Sequence, residues 1–297
     1  MPQLVRVLLV LLALIWVGVS RANDQDKERR FSLAYSKGPV QHPSKYPSVS
    51  VVDSVFNRKT DVVLEDYLVS LDEVYYCEDR CIVLASLSSS GNRSLYIIDL
   101  PTAKVVYTTW CFFPVPSPDR KWIAFEKFYP RGTPLEIMWP ALLVVAANDT
   151  DPSPVQVFPD EESKPDEVSR VHYSILPDVV WSEESDQFVF LGKHGESGWD
   201  MPQDVYFVLV KFKKGVVQPA KRSRIDVQSF VRADQNPERV GFMAEKLVIE
   251  DGRVKGKLYP QSYRIRDTFA FDLKSIEEER PLGIKDIVEP ASIAPTN

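Results

Sequence analysis

The stretch Pro116–Phe125, PSPDRKWIAF, contains the pattern on which the fold prediction depends. Pro118 presets a backbone φ angle that suits a turn, and the Asp119 side chain can bond to its own backbone. The run from Trp122 to Phe125 then reads Trp-Ile-Ala-Phe, so a strand here would be apolar on both faces. We therefore predict a tight turn followed by a strand buried between two layers, with Trp122 and Phe125 on opposite faces.

The same order of polar turn and apolar strand recurs along the chain. VVWSEESDQFVFLGK (Val179–Lys193) is a second turn and strand, and RSLYIIDLPTAKVVYT (Arg93–Thr108) is a strand pair of the same kind. A period of about 40–50 residues with several strands per unit is typical of propeller blades. We therefore predict an all-β fold, a β-propeller of about four to five irregular four-stranded antiparallel blades. A β-sandwich with long loops is the alternative.

A known repeat is similar to these stretches. SPDRKWIAF resembles the S-P-D-G-K-x-I-A-F core of the TolB-type, WD-like bacterial β-propeller repeat, and WSEESDQFVFLG is similar to it. RSLYIIDLPTAKVV resembles the half that follows in the same repeat. Arg120 and Ala103 stand where the repeat usually has Gly. The resemblance implies a binding platform or gate, because the repeat itself is structural and carries no catalytic residues.

The first residues predict export. Arg6 is followed by a 13-residue apolar run, 7–19, which is shorter than the ~20 residues that span a bilayer. Ser20 and Ala22 place small residues before a cut after Ala22, as in a secretory signal peptide. We expect residues 1–22 to be removed and the mature protein to be periplasmic or secreted, without a further membrane span. An uncleaved N-terminal anchor is the alternative.

The remaining chain is divided by composition into three parts. Residues 23–46 form a polar, Pro-rich lead-in, residues 47–274 carry the propeller repeats, and residues 275–297 are expected to be a flexible C-terminal tail. The formal net charge is −6, and the basic runs are as short as Lys221–Arg224. Such a chain is poorly suited to hold a polyphosphate backbone, so we do not expect a nucleic-acid partner.

Motifs that would carry catalysis or hold a cofactor are missing from the sequence. No zinc-protease, phosphate-loop or dinucleotide-binding motif is present. Gly195 and Gly198 flank Ser197 at the wrong spacing for a hydrolase nucleophile. The acidic groups at 160–162 and 183–184 lack the ligand spacing of a calcium loop. We therefore predict neither a metal nor a cofactor.

The cysteines leave one question open. Cys77 and Cys81 enclose three residues, and each adjoins an apolar run, so a disulfide could bridge the mouth of a hairpin. Export makes the bond chemically possible, but so short a loop gains little from closure. The sequence does not decide between a disulfide and two thiols. Cys111 is expected to be a buried thiol.

The candidate binding residues lie on two long connections. Phe128–Trp139 and Gly192–Gln203 are predicted to be loops between the second and third strands of successive units, and loops are where propellers bind. Arg131, Trp139, His194 and Trp199 are the candidate binding residues, since exposed Trp and Arg favour recognition. The alternative is that the two tryptophans cap a core edge.

The predicted function follows from these loops. We expect an exported non-enzymatic scaffold that binds an envelope or secreted protein, or a small ligand, through loops on one face. The alternative is an extracytoplasmic hydrolase or lyase that works in the propeller channel with carboxylates.

Overall fold

The computed structural model describes residues 29–35, 38–39, 47–64, 68–86, 92–130, 138–159, 171–175, 179–196, 203–230, 242–260 and 267–288. Almost all regular structure in these ranges is β-strand. The strands, in chain order, are β1 (Phe31–Ala34), β2 (Gly38–Pro39), β3 (Ser48–Asp53), β4 (Arg58–Val63), β5 (Ser70–Cys77), β6 (Arg80–Ser86), β7 (Asn92–Asp99), β8 (Lys104–Pro116), β9 (Trp122–Pro130), β10 (Met138–Ala146), β11 (Val155–Phe158), β12 (Val171–Ile175), β13 (Val180–Trp181), β14 (Gln187–Glu196), β15 (Gln203–Lys213), β16 (Val216–Val217), β17 (Lys221–Arg224), β18 (Phe242–Glu250), β19 (Arg253–Pro260) and β20 (Asp267–Asp272). The helix α1 spans Leu273–Glu277, and 3-10 turns lie at Val227–Phe230 and Ile284–Asp286.

These strands pair antiparallel, which confirms the all-β prediction. One sheet has the order β1-β3-β4, and a second has the order β11-β10-β9-β8-β7-β6-β5-β2. A third follows β12-β14-β15-β16, with β13 paired to β14 and β17 to β15, and a fourth is β18-β19-β20.

Face-to-face packing groups most of the described strands into five units. Unit 1 is β1, β3 and β4; unit 2 is β5, β6, β7 and the first part of β8; unit 3 is the end of β8 with β9, β10 and β11; unit 4 is β13, β14, β15 and β17; unit 5 is β18, β19 and β20. Units 2 and 3 share one sheet that bends within β8. Phe113 there has a φ of 46°, and the β8–β9 register shifts between Phe112 and Val115. The bulge lets one strand serve two packed layers.

Four apolar clusters join the units in chain order. The strands of units 2, 3 and 4 alternate between two clusters: Ile82 packs towards unit 3 and Val83 towards unit 1, just as Ile123 and Ala124 divide between units 2 and 4. Trp122 and Phe125 lie on opposite faces of β9, as predicted. Members of the clusters are Val51, Val62, Tyr96 and Ile98 between units 1 and 2; Leu84, Leu95, Phe125 and Leu143 between units 2 and 3; Val144, Phe158, Phe188 and Phe190 between units 3 and 4; and Leu191, Phe207, Val254 and Phe271 between units 4 and 5.

One backbone hydrogen bond is repeated in all five units. The residue just before one strand accepts, and a residue at or near the end of the strand paired with it donates, across 2.8–2.9 Å. The pairs are Ser54 to Arg30, Leu100 to Asp79, Ala147 to Lys121, Phe212 to Asp186 and Leu273 to Gly252. This shared bond aligns β1, β6, β9, β14 and β19 as equivalent strands of their units. We call the end of the units that carries these bonds the turn face.

The two turns that resemble each other in sequence have the same internal bonds. Ser117 accepts the Arg120 N–H through its carbonyl, and its hydroxyl donates to Asp119 Oδ1 at 2.6 Å. Ser182 likewise accepts the Ser185 N–H, and its hydroxyl donates to Asp186 at 2.8 Å. The turns also contact each other, because Asp119 N–H donates to Ser185 Oγ at 2.9 Å. Turn chemistry therefore links neighbouring units as well as starting their strands.

Ordered contacts extend beyond the predicted repeat range 47–274 at both of its ends. Within the lead-in 23–46, Phe31–Ala34 forms the strand β1. This strand pairs with β3, and the Arg30–Asp53 ion pair at 2.9 Å fixes its start. Within the expected flexible tail, Ile276 and Leu282 are buried in the cluster between units 4 and 5. Val288 N–H donates to Ala270 O at 2.9 Å. Apolar side chains anchor the chain here as far as 288, and residues 289–297 lie outside the described ranges.

Candidate functional site

The structure places two of the four candidate residues, Trp139 and His194, on two equivalent hairpins. Trp139 lies in β10 opposite Tyr129 of β9, and His194 lies in β14 opposite Asp204 of β15. Arg131 and Trp199 lie outside the described residues. His194 and Trp139 are therefore strand residues and not loop residues as predicted, because both antiparallel ladders continue to the hairpin ends.

These two hairpins join the second strand to the third in neighbouring units. Connection 131–137 links β9 to β10 in unit 3, and connection 197–202 links β14 to β15 in unit 4. Both second strands start from the linked turns at Asp119 and Ser185, so they run in the same direction and end on the same side. We call this side, opposite the turn face, the loop face.

Glu126 is a buried carboxyl on the strand that leads to the first hairpin. It is 5% exposed and lies opposite Leu142, on the side of β9 that faces unit 4. No hydrogen bond or ion pair of its carboxylate involves a described residue. Burial raises the pKa of Glu126 from 4.5 to about 7, because a charged carboxylate loses its hydration there.

Lys193 is its counterpart on the second hairpin. It is 7% exposed and lies opposite Val205, on the side of β14 that faces unit 5. Burial lowers the pKa of the Lys193 ammonium. Glu126 and Lys193 lie in different interfaces between units, so they do not form a pair with each other.

Sequence reasoning missed both residues, although a signal was present. Each is a single charge in an apolar strand, Ile-Ala-Phe-Glu at 123–126 and Phe-Val-Phe-Leu-Gly-Lys at 188–193. A charge that interrupts a strand buried on both faces is itself buried and functionally informative. A lone buried carboxyl can hold a proton near neutral pH or receive a cationic group, and a lone buried amine can receive an anion.

The structure resolves the question about the cysteines. Cys77, Cys81 and Cys111 are all thiols. In the β5–β6 ladder Cys77 lies opposite Arg80 and Cys81 opposite Tyr76, so the two sulfurs occupy opposite faces of the sheet. A bridge across this hairpin is therefore geometrically excluded. Burial raises the pKa of Cys77 to about 11 and that of Cys111 to about 12, which makes both poor nucleophiles.

Metal-binding clusters and membrane-spanning helices are both absent from the described ranges. Within them, no group of three or more His, Cys, Asp and Glu residues could hold a metal ion. In the same part of the chain, no helix has the length and apolar character needed to cross a bilayer.

Comparison with known proteins gives only distant structural likenesses. No protein-family model matches the chain, and no curated protein matches it significantly. It is similar to Porphyromonas gingivalis dipeptidyl peptidase 4, with 10% identity, a TM-score of 0.45, and coverage of 81% of this chain and 38% of that one. It is also similar to the β-propeller domain of the Trilobed protease from Pyrococcus furiosus, with 12% identity, a TM-score of 0.36, and coverage of 82% and 65%.

A third likeness is to Kuenenia stuttgartiensis hydrazine synthase, with 13% identity, a TM-score of 0.32, and coverage of 62% and 50%. This chain thus spans half or less of the hydrazine synthase and dipeptidyl peptidase chains. TM-scores below 0.5 leave the activity, substrates and partners of this chain open.

Proposed function

We propose that this chain is an exported, non-enzymatic scaffold of the β-propeller type, with a TolB-like repeat and its units arranged as blades. Its loop face binds an envelope or secreted protein, or a small ligand. The proposal for export rests on residues 1–22, and sequencing the N-terminus of the exported protein tests it. A protein that still begins at Met1 would contradict cleavage.

The observation that carries the proposed function is the equivalence of the two hairpins. Connections 131–137 and 197–202 have the same place in adjacent units, and both units are fixed to each other through their turns. Trp181 Nε1 adds a second link by donating to Val115 O at 3.1 Å. A rigid base with two neighbouring loops is the usual way in which repeat proteins present a binding surface.

Most of the strand surface in units 2, 3 and 4 is occupied by structural contacts. The strands of units 2, 3 and 4 bury both faces, and the turn face is bonded within and between units. Glu126 and Lys193 lie on the strands that lead to the loop face and supply buried charges of both signs close to it. This arrangement supports recognition of a partner with polar anchor groups.

One observation favours the enzymatic alternative. Glu126, with a pKa of about 7, could exchange a proton at neutral pH, which is the property required of a general acid or base. Glycoside-type hydrolysis needs a second carboxyl about 5–10 Å away. Loss of a measured hydrolytic activity in Glu126→Gln, with loop-face binding intact, would favour the alternative.

A capture experiment with matched variants tests the proposed function. The tagged mature protein is used to capture partners from envelope extract, alongside a variant with Trp139→Ala and His194→Ala. The control carries Val55→Ser and Phe56→Ser at an exposed turn of unit 1. We expect a partner that the control retains and the loop-face variant loses. Equal capture by both variants, each with unchanged thermal unfolding, would contradict loop-face binding.

A further inference from the structure

A groove of about 840 Å³ lies between units 1 and 2, and the function proposed above does not use it. We call it the rim groove. Val62 and Val63 of β4 line one side, and Val105 and Trp110 of β8 line the other. Trp110 is 65% exposed and Val63 is 52% exposed, so two large apolar side chains border the opening. Exposed apolar surface in a groove is typical of an interaction site.

The backbone of β4 adds a directional feature to this groove. Leu64 N–H donates to Pro47 O at 2.9 Å, which fixes the hydrogen-bonding phase of the β3–β4 ladder. Because phase alternates along an antiparallel pair, the N–H and C=O groups of Lys59, Asp61 and Val63 point away from β3. In the described part of the chain, no strand pairs with this outer edge of β4. An edge of this kind can accept a further strand.

Charge around the rim groove has the opposite sign to the whole chain. Lys104 and Lys127 line it, and the Lys127 ammonium also donates to Thr109 Oγ1 at 3.0 Å, whereas the chain carries a net charge of −6. Asp61 is the acidic residue of the lining, and its carboxylate accepts a 2.6 Å hydrogen bond from Ser50 Oγ. Two lysines and one aspartate give the described lining a net positive charge, which favours an acidic partner over a basic one.

We propose that the rim groove binds an extended acidic segment of a partner protein, which adds to the free edge of β4 as a further strand. The segment's backbone exchanges hydrogen bonds with Lys59, Asp61 and Val63. One of its apolar side chains packs on Trp110, and its carboxylates lie near Lys104 and Lys127. Main-chain bonds supply affinity in this mode of recognition, and alternate side chains supply specificity.

Hydrogen exchange of individual amides in the full chain gives a direct test. The probe is an acetylated eight-residue peptide of alternating glutamate and valine. We expect the amides of Lys59, Asp61 and Val63 to exchange fast in the free protein and to slow at least tenfold with the peptide. The inward amides of Thr60 and Val62 are internal controls, because they should be protected in both states.

Variants of the peptide and the protein separate strand addition from other binding. The same peptide N-methylated at alternate amides, and a lysine–valine peptide, should each bind at least tenfold more weakly. Asp61→Pro removes an outward N–H at an edge where proline is tolerated, and should abolish protection. Asp61→Asn is its matched control, since it keeps that N–H and should bind the peptide.

Four results would overturn the proposal. They are absence of peptide protection at millimolar concentration, equal binding of the N-methylated peptide, full binding by a folded Asp61→Pro variant, or outward amides already protected without peptide. Protection in the free protein at all concentrations would show that a segment of this chain covers the edge. Protection that grows with protein concentration would show that a second copy does.

Discussion

Replacing Glu126 by Gln should make the stability of the protein depend less on pH. Below pH 4.5 both the folded and the unfolded state hold the Glu126 proton, so the carboxyl contributes no difference. Between pH 4.5 and about 7 the unfolded state loses the proton first, and stability falls as pH rises. Above pH 7 the full penalty is present. A rise in pKa from 4.5 to about 7 corresponds to about 3 kcal/mol.

Urea unfolding at pH 4 and pH 8 measures this effect. The free energy of unfolding of Glu126→Gln minus that of the wild type should be about 3 kcal/mol larger at pH 8 than at pH 4, which means that the variant gains relative stability at high pH. Glu184→Gln removes an exposed carboxyl and serves as the matched control, with little difference between the two pH values. If the difference between Glu126→Gln and the wild type is the same at both pH values, Glu126 is solvated or paired, and its place in the site is wrong.

Three further predictions concern the fold. Ala103→Gly should raise the free energy of unfolding in urea by about 0.5–1 kcal/mol. Ala103 has a φ of 52°, where a Cβ costs ~1–2 kcal/mol, and the larger conformational entropy of glycine in the unfolded state offsets only part of this gain. A loss of stability would show that the residue is unstrained. Phe125→Ala should lower the free energy of unfolding by about 3–5 kcal/mol. Trp122→Ala should lower it by about 1–3 kcal/mol, because the Trp122 ring is only half-buried against the Phe212 ring. Thermal unfolding that ranks Trp122→Ala as the more destabilising substitution would contradict this order. A thiol reagent should leave Cys77 and Cys111 unmodified in the native protein and find three thiols in urea without reductant; fewer than three would reveal a disulfide.

The turn and its strand could be read from local sequence because their causes are local. Ser117, Pro118 and Asp119 specify the turn through bonds within five residues, and the alternation from Trp122 to Phe125 specifies two buried faces. The departure of Arg120 from the repeat has a physical meaning as well. Its φ of 65° is the left-handed conformation that explains why glycine is usual at this position.

Features with distant causes could not be read in this way. The strand β1 has four residues in a polar segment, and it is held by Asp53 and by the Tyr76 hydroxyl, which accepts the Leu33 N–H at 2.8 Å. The disulfide question depended on ladder register, which places Cys77 and Cys81 on opposite faces. Partners more than twenty residues away along the chain decide whether β1 forms. A one-residue change of register in the β5–β6 ladder would reverse the answer about the disulfide.

The candidate site was predictable only in part for a related reason. Spacing along the chain assigned Trp139 and His194 to equivalent hairpins, but it did not show that both lie within the strands. Recognising Glu126 and Lys193 as buried required knowing that the layers on both sides are occupied. That information belongs to the packing of neighbouring units.

The two end units show where apolar burial stops. The far side of unit 5 carries the ion pairs Arg253–Asp272 at 3.1 Å and Lys255–Glu250 at 3.0 Å. On the far side of unit 1, Ser50 is hydrogen-bonded to Asp61. Terminal repeats with polar outer faces end a stack, since a charged face gains little from being covered. The described far sides of units 1 and 5 therefore differ from the apolar faces that join units 2, 3 and 4 to their neighbours.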